Sequence, residues 1–275
     1  MRIERAEGFP AIGQPSLFWL GQAGFWIDTG THQLLIDPYL SNSLAEKYAG
    51  SRHPHIRMMA PPVEIARLPR PDLVLITHAH SDHMDAGTLS PLHARFPDVP
   101  LIVPASRAEM ARKRAGPDVH LIEVDAGSIV SPLPGLMITV FAAAHEDLEY
   151  DDAGRHLFLG YGITSGGIRA YHSGDCVPYA GLLEAVSKFA PQIALLPVNG
   201  RDASRLAEGV PGNFTLSEAI ALAHGAEIPY LVAHHYGMFA SNTVDPEEID
   251  RAAVGLQEKP LLLRPRAGER LVLSI

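Results

Sequence analysis

A dense group of histidine and aspartate residues follows one short apolar stretch of the chain. The stretch, residues 72–77, reads DLVLIT, and His78, His80, Asp82 and His83 lie within the next six residues. Imidazole nitrogens and carboxylate oxygens are suitable ligands for zinc, iron and manganese. In extended backbone, side chains two residues apart point to the same side, so His78 and His80 can share one ion. Asp82 and His83 are adjacent and diverge, which indicates a second, neighbouring ion.

The elements that must position this motif are short strands and helices. The DLVLIT stretch is almost continuously apolar, which is typical of a strand buried on both faces. The predicted strands are residues 16–20, 24–28, 33–37, 72–77, 101–103, 119–123, 136–141, 156–163, 168–172, 193–198, 230–233, 261–263 and 271–274. The predicted helices are residues 105–114, 179–189, 215–224 and 246–256, with Asp245 as a cap. This alternation predicts one α/β domain, residues 1–275, with two packed sheets. Residues 38–71 lack periodicity, which is typical of a functional loop or cover.

Composition excludes several classes of protein. The 275 residues are 47% hydrophobic and 19% charged, as in folded globular chains. The formal net charge of −9 argues against binding to nucleic acid or to an anionic membrane. Cys176 is the single cysteine, so the fold does not depend on an internal disulfide. No signal-peptide pattern and no apolar run of roughly 20 residues is present, so we expect a cytoplasmic protein.

The histidine–aspartate motif resembles that of the metallo-β-lactamase superfamily, and further matches follow in the order typical of the family. The resemblance implies an α/β fold, a four-layer αββα sandwich with a metal pair at one edge. It implies further ligands at His145 in AAAHED, at Asp175 in YHSGD and at a late histidine in AHHYG. Only one of the adjacent His234 and His235 should face the metals, and the resemblance favours His235. In the early LIDP segment, Asp37 matches an aspartate that orients the ligands.

This resemblance also implies two divalent ions per chain, either zinc or manganese, with iron compatible as well. The implied ligands are His78, His80 and His145 for the first ion, Asp82, His83 and His235 for the second, and Asp175 as the bridge. The ions would lower the pKa of a bridging water to roughly 7 and supply hydroxide for hydrolysis. Asp82 would orient this nucleophile, and His172, three residues before Asp175, is a further catalytic candidate. Because Asp175 fills the ligand position, we expect Cys176 to be a buried bystander.

The motifs WLGQAGF, YHSGD and HHYGMF are similar to the superfamily branch that contains L-ascorbate-6-phosphate lactonase. The resemblance implies hydrolysis of a small anionic metabolite such as a sugar-acid phosphate lactone. The candidate substrate residues are Asn199, Arg201 and Tyr236, and further candidates near the pocket are Arg52, Arg57, Arg205, His53 and His55.

Two alternatives share the same motif. One is a phosphodiesterase on the same fold, for which the negative net charge favours a small phosphodiester over long nucleic acids. The other is a metal-binding redox protein without hydrolysis, although a diiron version would need a flavin partner. The expected partner is therefore a small-molecule substrate, with no nucleic acid and no membrane. Relatives in the lactonase branch assemble, so a homo-oligomer is compatible with the resemblance.

Overall fold

Fifteen strands form two sheets in the computed structural model, which describes residues 1–274. The strands are β1 (Arg2–Glu7), β2 (Ser16–Gly21), β3 (Gly24–Asp28), β4 (Gln33–Ile36), β5 (Leu73–Leu75), β6 (Leu101–Pro104), β7 (Leu121–Val124), β8 (Ile129–Leu133), β9 (Leu136–Ala142), β10 (Leu159–Ser165), β11 (Ile168–His172), β12 (Ile193–Pro197), β13 (Tyr230–His234), β14 (Leu261–Leu263) and β15 (Glu269–Ser274). The first sheet has the order β1-β15-β2-β3-β4-β5-β6-β7, and the second has the order β14-β13-β12-β11-β10-β9-β8. In each sheet, one half is antiparallel and the other half is parallel.

Helices cover the outer face of each sheet. The α-helices are α1 (Ser43–Lys47), α2 (Ala86–Arg95), α3 (Ala108–Ala115), α4 (Leu182–Phe189), α5 (Ala203–Ala207), α6 (Leu216–Gly225) and α7 (Pro246–Gly255). Apolar residues of α2 and α3 pack on the first sheet, and those of α4, α6 and α7 pack on the second. None of the helices within residues 1–274 combines the length and the apolar composition needed to cross a bilayer.

The alternation of side chains along β2 shows how the layers form. Leu17 and Trp19 point into the core between the sheets, whereas Phe18 and Leu20 point into the core under α2 and α3. Successive side chains of a strand point to opposite faces, so a strand that is apolar at every position can serve two cores. The order of layers is therefore helix, sheet, sheet, helix, and the predicted αββα sandwich is confirmed.

Several local predictions need correction. The helix predicted at residues 105–114 is a 3-10 turn over Ala105–Arg107 followed by α3, and the strand predicted from residue 156 begins at Leu159. The strands β1 and β8 and the helices α1, α2 and α5 are not among the predicted elements. Asp245 caps α7 as predicted, because its side chain accepts a hydrogen bond from the N–H of Glu247 at 3.0 Å.

One edge of the sandwich collects the polar residues of the motifs. Strands β4 and β5 of the first sheet end there, and β9, β11 and β13 of the second sheet end at the same edge. The residues that follow these strand ends are Asp37 after β4, His78 to His83 after β5, His145 after β9, Asp175 after β11 and His235 after β13. Ligands that are far apart in the sequence therefore meet where the two sheets open.

Candidate metal centre

The motif after β5 folds into a tight loop. The backbone N–H groups of His83 and Met84 both donate to the carbonyl of His80, at 3.1 and 2.8 Å. Arg114 of α3 donates through Nη1 to the carbonyls of Ala79 and Met84, at 2.7 and 2.9 Å. One guanidinium group therefore ties both ends of the loop and fixes the backbone that carries the candidate ligands.

The structure brings all seven predicted ligands together. Two groups of three residues each place their ligand atoms within 4.8 Å of one another, namely His78, His80 and Asp175, and Asp82, His83 and His235. His145 lies beside them, with its Nε2 at 3.7 Å from Oδ2 of Asp175. Asp175 also lies 3.3 Å from Nε2 of His83 and 3.2 Å from Nε2 of His235, so it is the central residue of the group.

Asp37 sets the direction of two of the imidazoles. Its Oδ2 accepts hydrogen bonds from Nδ1 of His83 at 2.7 Å and from Oγ1 of Thr77 at 2.5 Å. Because the hydroxyl of Thr77 donates its proton to Asp37, its oxygen is free to accept a hydrogen bond from Nδ1 of His78 at 3.0 Å. Both imidazoles therefore keep a proton at Nδ1, which leaves Nε2 as the nitrogen available to an ion. These two Nε2 atoms are buried and have no hydrogen-bond partner, which is the arrangement that a metal ion requires.

The third imidazole is directed by a loop from the second half of the chain. Nδ1 of His145 donates to the carbonyl of Gly212 at 2.9 Å, so its Nε2 also presents a lone pair. The N–H of Gly212 donates in turn to Oε1 of Glu146 at 2.7 Å. Oδ1 of Asp175 is a further buried atom without a hydrogen-bond partner. The donor set fits divalent ions that bind imidazole and carboxylate.

Burial keeps several imidazoles neutral. Loss of hydration is the main reason that the pKa of His78 lies well below its usual value. The same cause lowers the pKa of His80 and brings the pKa of His145 to about 4. The neutral imidazole is the form that binds a metal, so these residues need not lose a proton near pH 7 before they bind one.

The carboxylates of the site remain charged. Burial opposes ionisation of Asp175, but the neighbouring His235 and His83 outweigh it and hold the pKa of Asp175 well below its usual value. Burial likewise opposes a charge on His83, but Asp175, Asp37 and Asp82 outweigh it and raise the pKa of His83 well above its usual value. The site thus concentrates negative charge in a buried position, where divalent cations would compensate it.

The late ligand position is occupied by His235. Its backbone N–H donates to the carbonyl of Gln22 at 2.9 Å, and its Nε2 points toward Asp175. The ring of His234 points the other way, into the core, where it stacks on the ring of His172 with centroids 4.7 Å apart.

Gln22 belongs to the site although the sequence analysis did not name it. It lies in the turn between β2 and β3 within the WLGQAGF motif and is fully buried. Its Nε2 donates to Oδ2 of Asp82 at 2.7 Å and lies 3.1 Å from Nε2 of His235. Gln22 therefore holds Asp82 and His235 in one arrangement.

His172 lies behind the site, which removes the geometric basis for its predicted catalytic role. Its Nδ1 accepts from the N–H of Gly174 at 3.0 Å, and its Nε2 donates to the carbonyl of Ala23 at 2.9 Å. Both ring nitrogens are therefore bonded to backbone, and the side chain is fully buried. Cys176 is buried too, and burial raises the pKa of its thiol to about 12.

A cavity of about 430 Å³ opens over the ligands. Three segments form its walls: the loop after β5 that carries the candidate ligands (residues 78–83, which we call the metal-binding loop), residues 44–55 and residues 208–211. Phe239, Asn242 and Arg114 complete the lining. The position of residues 44–55 agrees with the prediction that residues 38–71 form a functional loop or cover.

Arg201 and Tyr236, predicted to contact substrate, are used inside the fold instead. Nη1 and Nη2 of Arg201 donate to the two carboxylate oxygens of Glu218, at 2.6 and 2.7 Å. The hydroxyl of Tyr236 donates to the carbonyl of Pro265, and its ring stacks on Trp19 with centroids 4.8 Å apart. Neither side chain lines the cavity over the ligands.

Asn199 lies one layer behind the cavity wall. It is buried, and its Nδ2 donates to Oδ1 of Asn242, which does line the cavity, at 2.7 Å. Arg205 also serves this loop, because its Nη1 donates to the carbonyl of Asn199 at 3.1 Å. Arg57 donates to three backbone carbonyls and lies over the ring of Tyr39.

Of the further candidates, Arg52, His53 and His55 do line the cavity. Lys47 and Arg114, which also line it, were not among the sequence-based candidates. Both lie on short elements whose direction relative to the cavity is not encoded in any local pattern.

Comparison with known proteins agrees with this geometry. A family profile described as "Beta-lactamase superfamily domain" matches residues 32–236. A UPF0173 metal-dependent hydrolase from Methanopyrus kandleri is 29% identical over 257 residues, which cover 90% of this chain and 96% of that protein. Another from Pyrococcus horikoshii is 27% identical over 260 residues, with 93% and 98% covered.

A solved structure shares the fold. The isothiocyanate hydrolase from Delia radicum gut bacteria superimposes with a TM-score of 0.75 at 20% identity, covering 94% of this chain and 99% of that one. At this identity the likeness concerns the fold alone. The family profile, by contrast, spans most of the chain and includes all seven ligand candidates, the late histidine His235 among them. This protein therefore belongs to the beta-lactamase superfamily domain family.

Proposed function

We propose that this protein is a metal-dependent hydrolase that uses two divalent ions to cleave an ester or lactone bond in a small anionic molecule. The observation that carries the proposal is the pair of opposed ligand groups at the floor of a cavity. Nε2 of His78 and Nε2 of His83 are buried among these ligand atoms and have no hydrogen-bond partner within the protein. The name of the relatives, metal-dependent hydrolase, supports the same class of reaction.

Two ions fit the ligand set better than one. Asp175 lies between the group of His78 and His80 and the group of His83 and His235, so its two oxygens can serve both groups. Zinc and manganese are the ions that this mixture of imidazole and carboxylate suits, and iron is compatible. When bound, such ions lower the pKa of coordinated water to about 7 and polarise the oxygen of the scissile group.

The residues of the chain position the reactants around the ions. Asp82 lines the cavity and is held by Gln22, so its carboxylate can accept a hydrogen bond from the attacking water and orient it. Asp37 keeps a proton of His83 at Nδ1, so that Nε2 is the nitrogen that would bind an ion.

The size and charge of the cavity support a small anionic substrate. A volume of about 430 Å³ lies in the range of pockets for small molecules. Lys47, Arg52 and Arg114 line it, in a chain whose net charge is −9. A sugar-acid phosphate lactone is the leading candidate, because the motifs resemble those of the lactonase branch.

Turnover by protein of known metal content tests the proposal. Zinc-loaded and manganese-loaded samples would be given L-ascorbate 6-phosphate and, for the alternative activity, bis(4-nitrophenyl) phosphate. We expect ring opening of the lactone that is lost in His80→Ala and retained in His120→Ala, whose histidine is exposed and outside the site. Hydrolysis of the phosphodiester alone would assign a phosphodiesterase, and no hydrolysis by protein that holds two ions per chain would refute the proposal.

A further inference from the structure

Two segments meet across the mouth of the cavity. The first is residues 47–55, which we call the front segment, and the second is residues 199–212, which we call the rear segment. The front segment carries Arg52 and His53, and the rear segment carries Glu208. All three side chains line the cavity that also exposes His80, Asp82, Asp175 and His235.

One carboxylate is held at both oxygens at this mouth. Oε1 of Glu208 lies 2.7 Å from Nη1 of Arg52, and Oε2 accepts a hydrogen bond from Nε2 of His53 at 2.6 Å. Two donors aimed at the two oxygens of one carboxylate form a site that recognises an oxyanion rather than a neutral group.

The front segment also makes contacts that do not involve Glu208. Nδ1 of His55 donates to the carbonyl of His53 at 2.7 Å. The ring of His55 stacks on Tyr48, with centroids 4.4 Å apart, and meets the edge of Phe239 at 4.9 Å. These contacts fix the backbone at His53 through its carbonyl, and none of them involves the rear segment.

The charges around the mouth are unequal. Apart from the ligand candidates, the charged side chains that line the cavity are the cations Lys47, Arg52 and Arg114 and the single carboxylate of Glu208. Lys47 donates to Oγ of Ser81 at 3.2 Å, so it lies between the metal-binding loop and the mouth. Outside the ligand candidates, Glu208 is therefore outnumbered by cations along the lining of the cavity.

The contact of Glu208 with the front segment is also easily exchanged. The side chain of Arg52 is 80% exposed, and ion pairs with so exposed a partner contribute little to stability. An incoming oxyanion can replace Glu208 at the same donors with little loss, because one charged hydrogen-bonding partner takes the position of another.

We propose that Arg52 and His53 form the subsite for the oxyanion of the substrate, a carboxylate or a phosphate, and that Glu208 occupies this subsite until the substrate displaces it. This assignment rests on the proposed hydrolase function and adds where the anionic end of the substrate binds. It makes Glu208 an internal competitor. Removal of its charge therefore strengthens binding of anionic substrates, whereas removal of Arg52 or His53 weakens it.

The experiment compares a neutral ester with an anionic ester of the same leaving group, 4-nitrophenyl acetate and mono-4-nitrophenyl adipate. We expect Arg52→Ala and His53→Asn to raise KM for the adipate ester about tenfold, with KM for the acetate ester unchanged within twofold. Glu208→Gln should lower KM for the adipate ester severalfold. Arg251→Ala, on the exposed face of α7, serves as the control for a lost surface charge. If both Glu208→Gln and Arg52→Ala raised KM for both esters, the contact between Arg52 and Glu208 would serve only to hold the front and rear segments together. That result would overturn the proposal.

Direct binding separates this inference from the proposed function. Glutarate and inorganic phosphate would be titrated into metal-loaded wild-type protein and the three variants by calorimetry. Binding that tightens in Glu208→Gln and weakens in Arg52→Ala supports the subsite even if neither ester is hydrolysed, and the stronger of the two ligands identifies the oxyanion. Binding that is equal in all of the proteins, or absent from all of them, overturns the subsite even if the esters are hydrolysed.

Discussion

Substitution of Asp37 by asparagine tests whether a residue that touches no substrate controls the metal site. Asp37 adopts a φ of +41°, a left-handed conformation that asparagine tolerates well, so the backbone should not change. The Oδ2 atom that accepts from Thr77 and His83 becomes an NH₂ group that can only donate. To accept from this group, Nδ1 of His83 must be without its proton, and the proton of the neutral imidazole then lies at Nε2. If the amide were flipped so that its oxygen faced His83, its NH₂ group would instead face the backbone N–H of Thr77, and two donors would oppose each other.

A proton at Nε2 removes the lone pair through which His83 would bind an ion. Loss of a partner that orients a ligand typically lowers metal affinity by about 10–100-fold, which corresponds to roughly 1.4–2.7 kcal/mol. We expect this loss for the ion held by Asp82, His83 and His235, and a smaller change for the ion near His80. Metal-free protein would be titrated with zinc in competition with a chromophoric chelator.

The matched control is Asp118→Asn, which changes an exposed aspartate in a turn outside the site. It should bind both ions as the wild-type protein does. If Asp37→Asn also binds both ions within threefold of the wild-type affinities, then the hydrogen bond to Nδ1 does not set the tautomer, and the reasoning fails.

Three further predictions concern the surroundings of the site. Cys176 is buried and its thiol pKa is raised to about 12, so we expect the native protein not to react with a disulfide reagent. After unfolding, one thiol per chain should react. Fast labelling of the native protein would contradict the burial of Cys176. The hydrogen bonds from Arg201 bring the pKa of Glu218 to about 2 from its usual 4.5, so this pair stabilises the fold above pH 4.5 and loses its effect as the pH falls toward 2. By calorimetry, Arg201→Gln should therefore lower Tm at pH 7 but not near pH 2, and an equal loss at both values would exclude the ion pair as the cause. Arg114→Met leaves two loop carbonyls without their donor, so the free energy of unfolding in urea should fall by about 1–3 kcal/mol. Metal binding, measured separately, should also weaken. The neighbouring surface variant Arg112→Met should show neither effect.

The sequence allowed the contiguous part of the site to be predicted from residue types alone. Four ligand candidates within six residues after a buried strand form a local signal. His145, Asp175 and His235 are isolated in the sequence, and only the resemblance to a family connected them. Their meeting depends on strands of both sheets ending at one edge, which no local pattern encodes.

The predicted substrate residues show what local sequence lacks. Arg201 lies in a loop near the site, but its guanidinium pairs with Glu218, 17 residues further along the chain, at the start of α6. His172 ends a strand whose alternate side chains face opposite ways, and it faces the core. In both cases the direction of the side chain depends on a distant partner.

The elements that the prediction missed have similar causes. The strand β1 is rich in charge and pairs only with β15 at the other end of the chain, so its own sequence shows no apolar run. The helix α2 begins directly after the metal motif, where Asp85 is its cap rather than another ligand.

The distribution of the ligands over both sheets has a mechanical consequence. His78 to His83 follow a strand of the first sheet, whereas His145, Asp175 and His235 follow strands of the second. Ions held among them would crosslink the two halves of the sandwich, in a chain whose single cysteine cannot form an internal disulfide. Because such a site exists only in the folded protein, metal binding adds its free energy to folding. Chelation should therefore accelerate amide hydrogen exchange first where the sheets open, while the opposite edge remains protected.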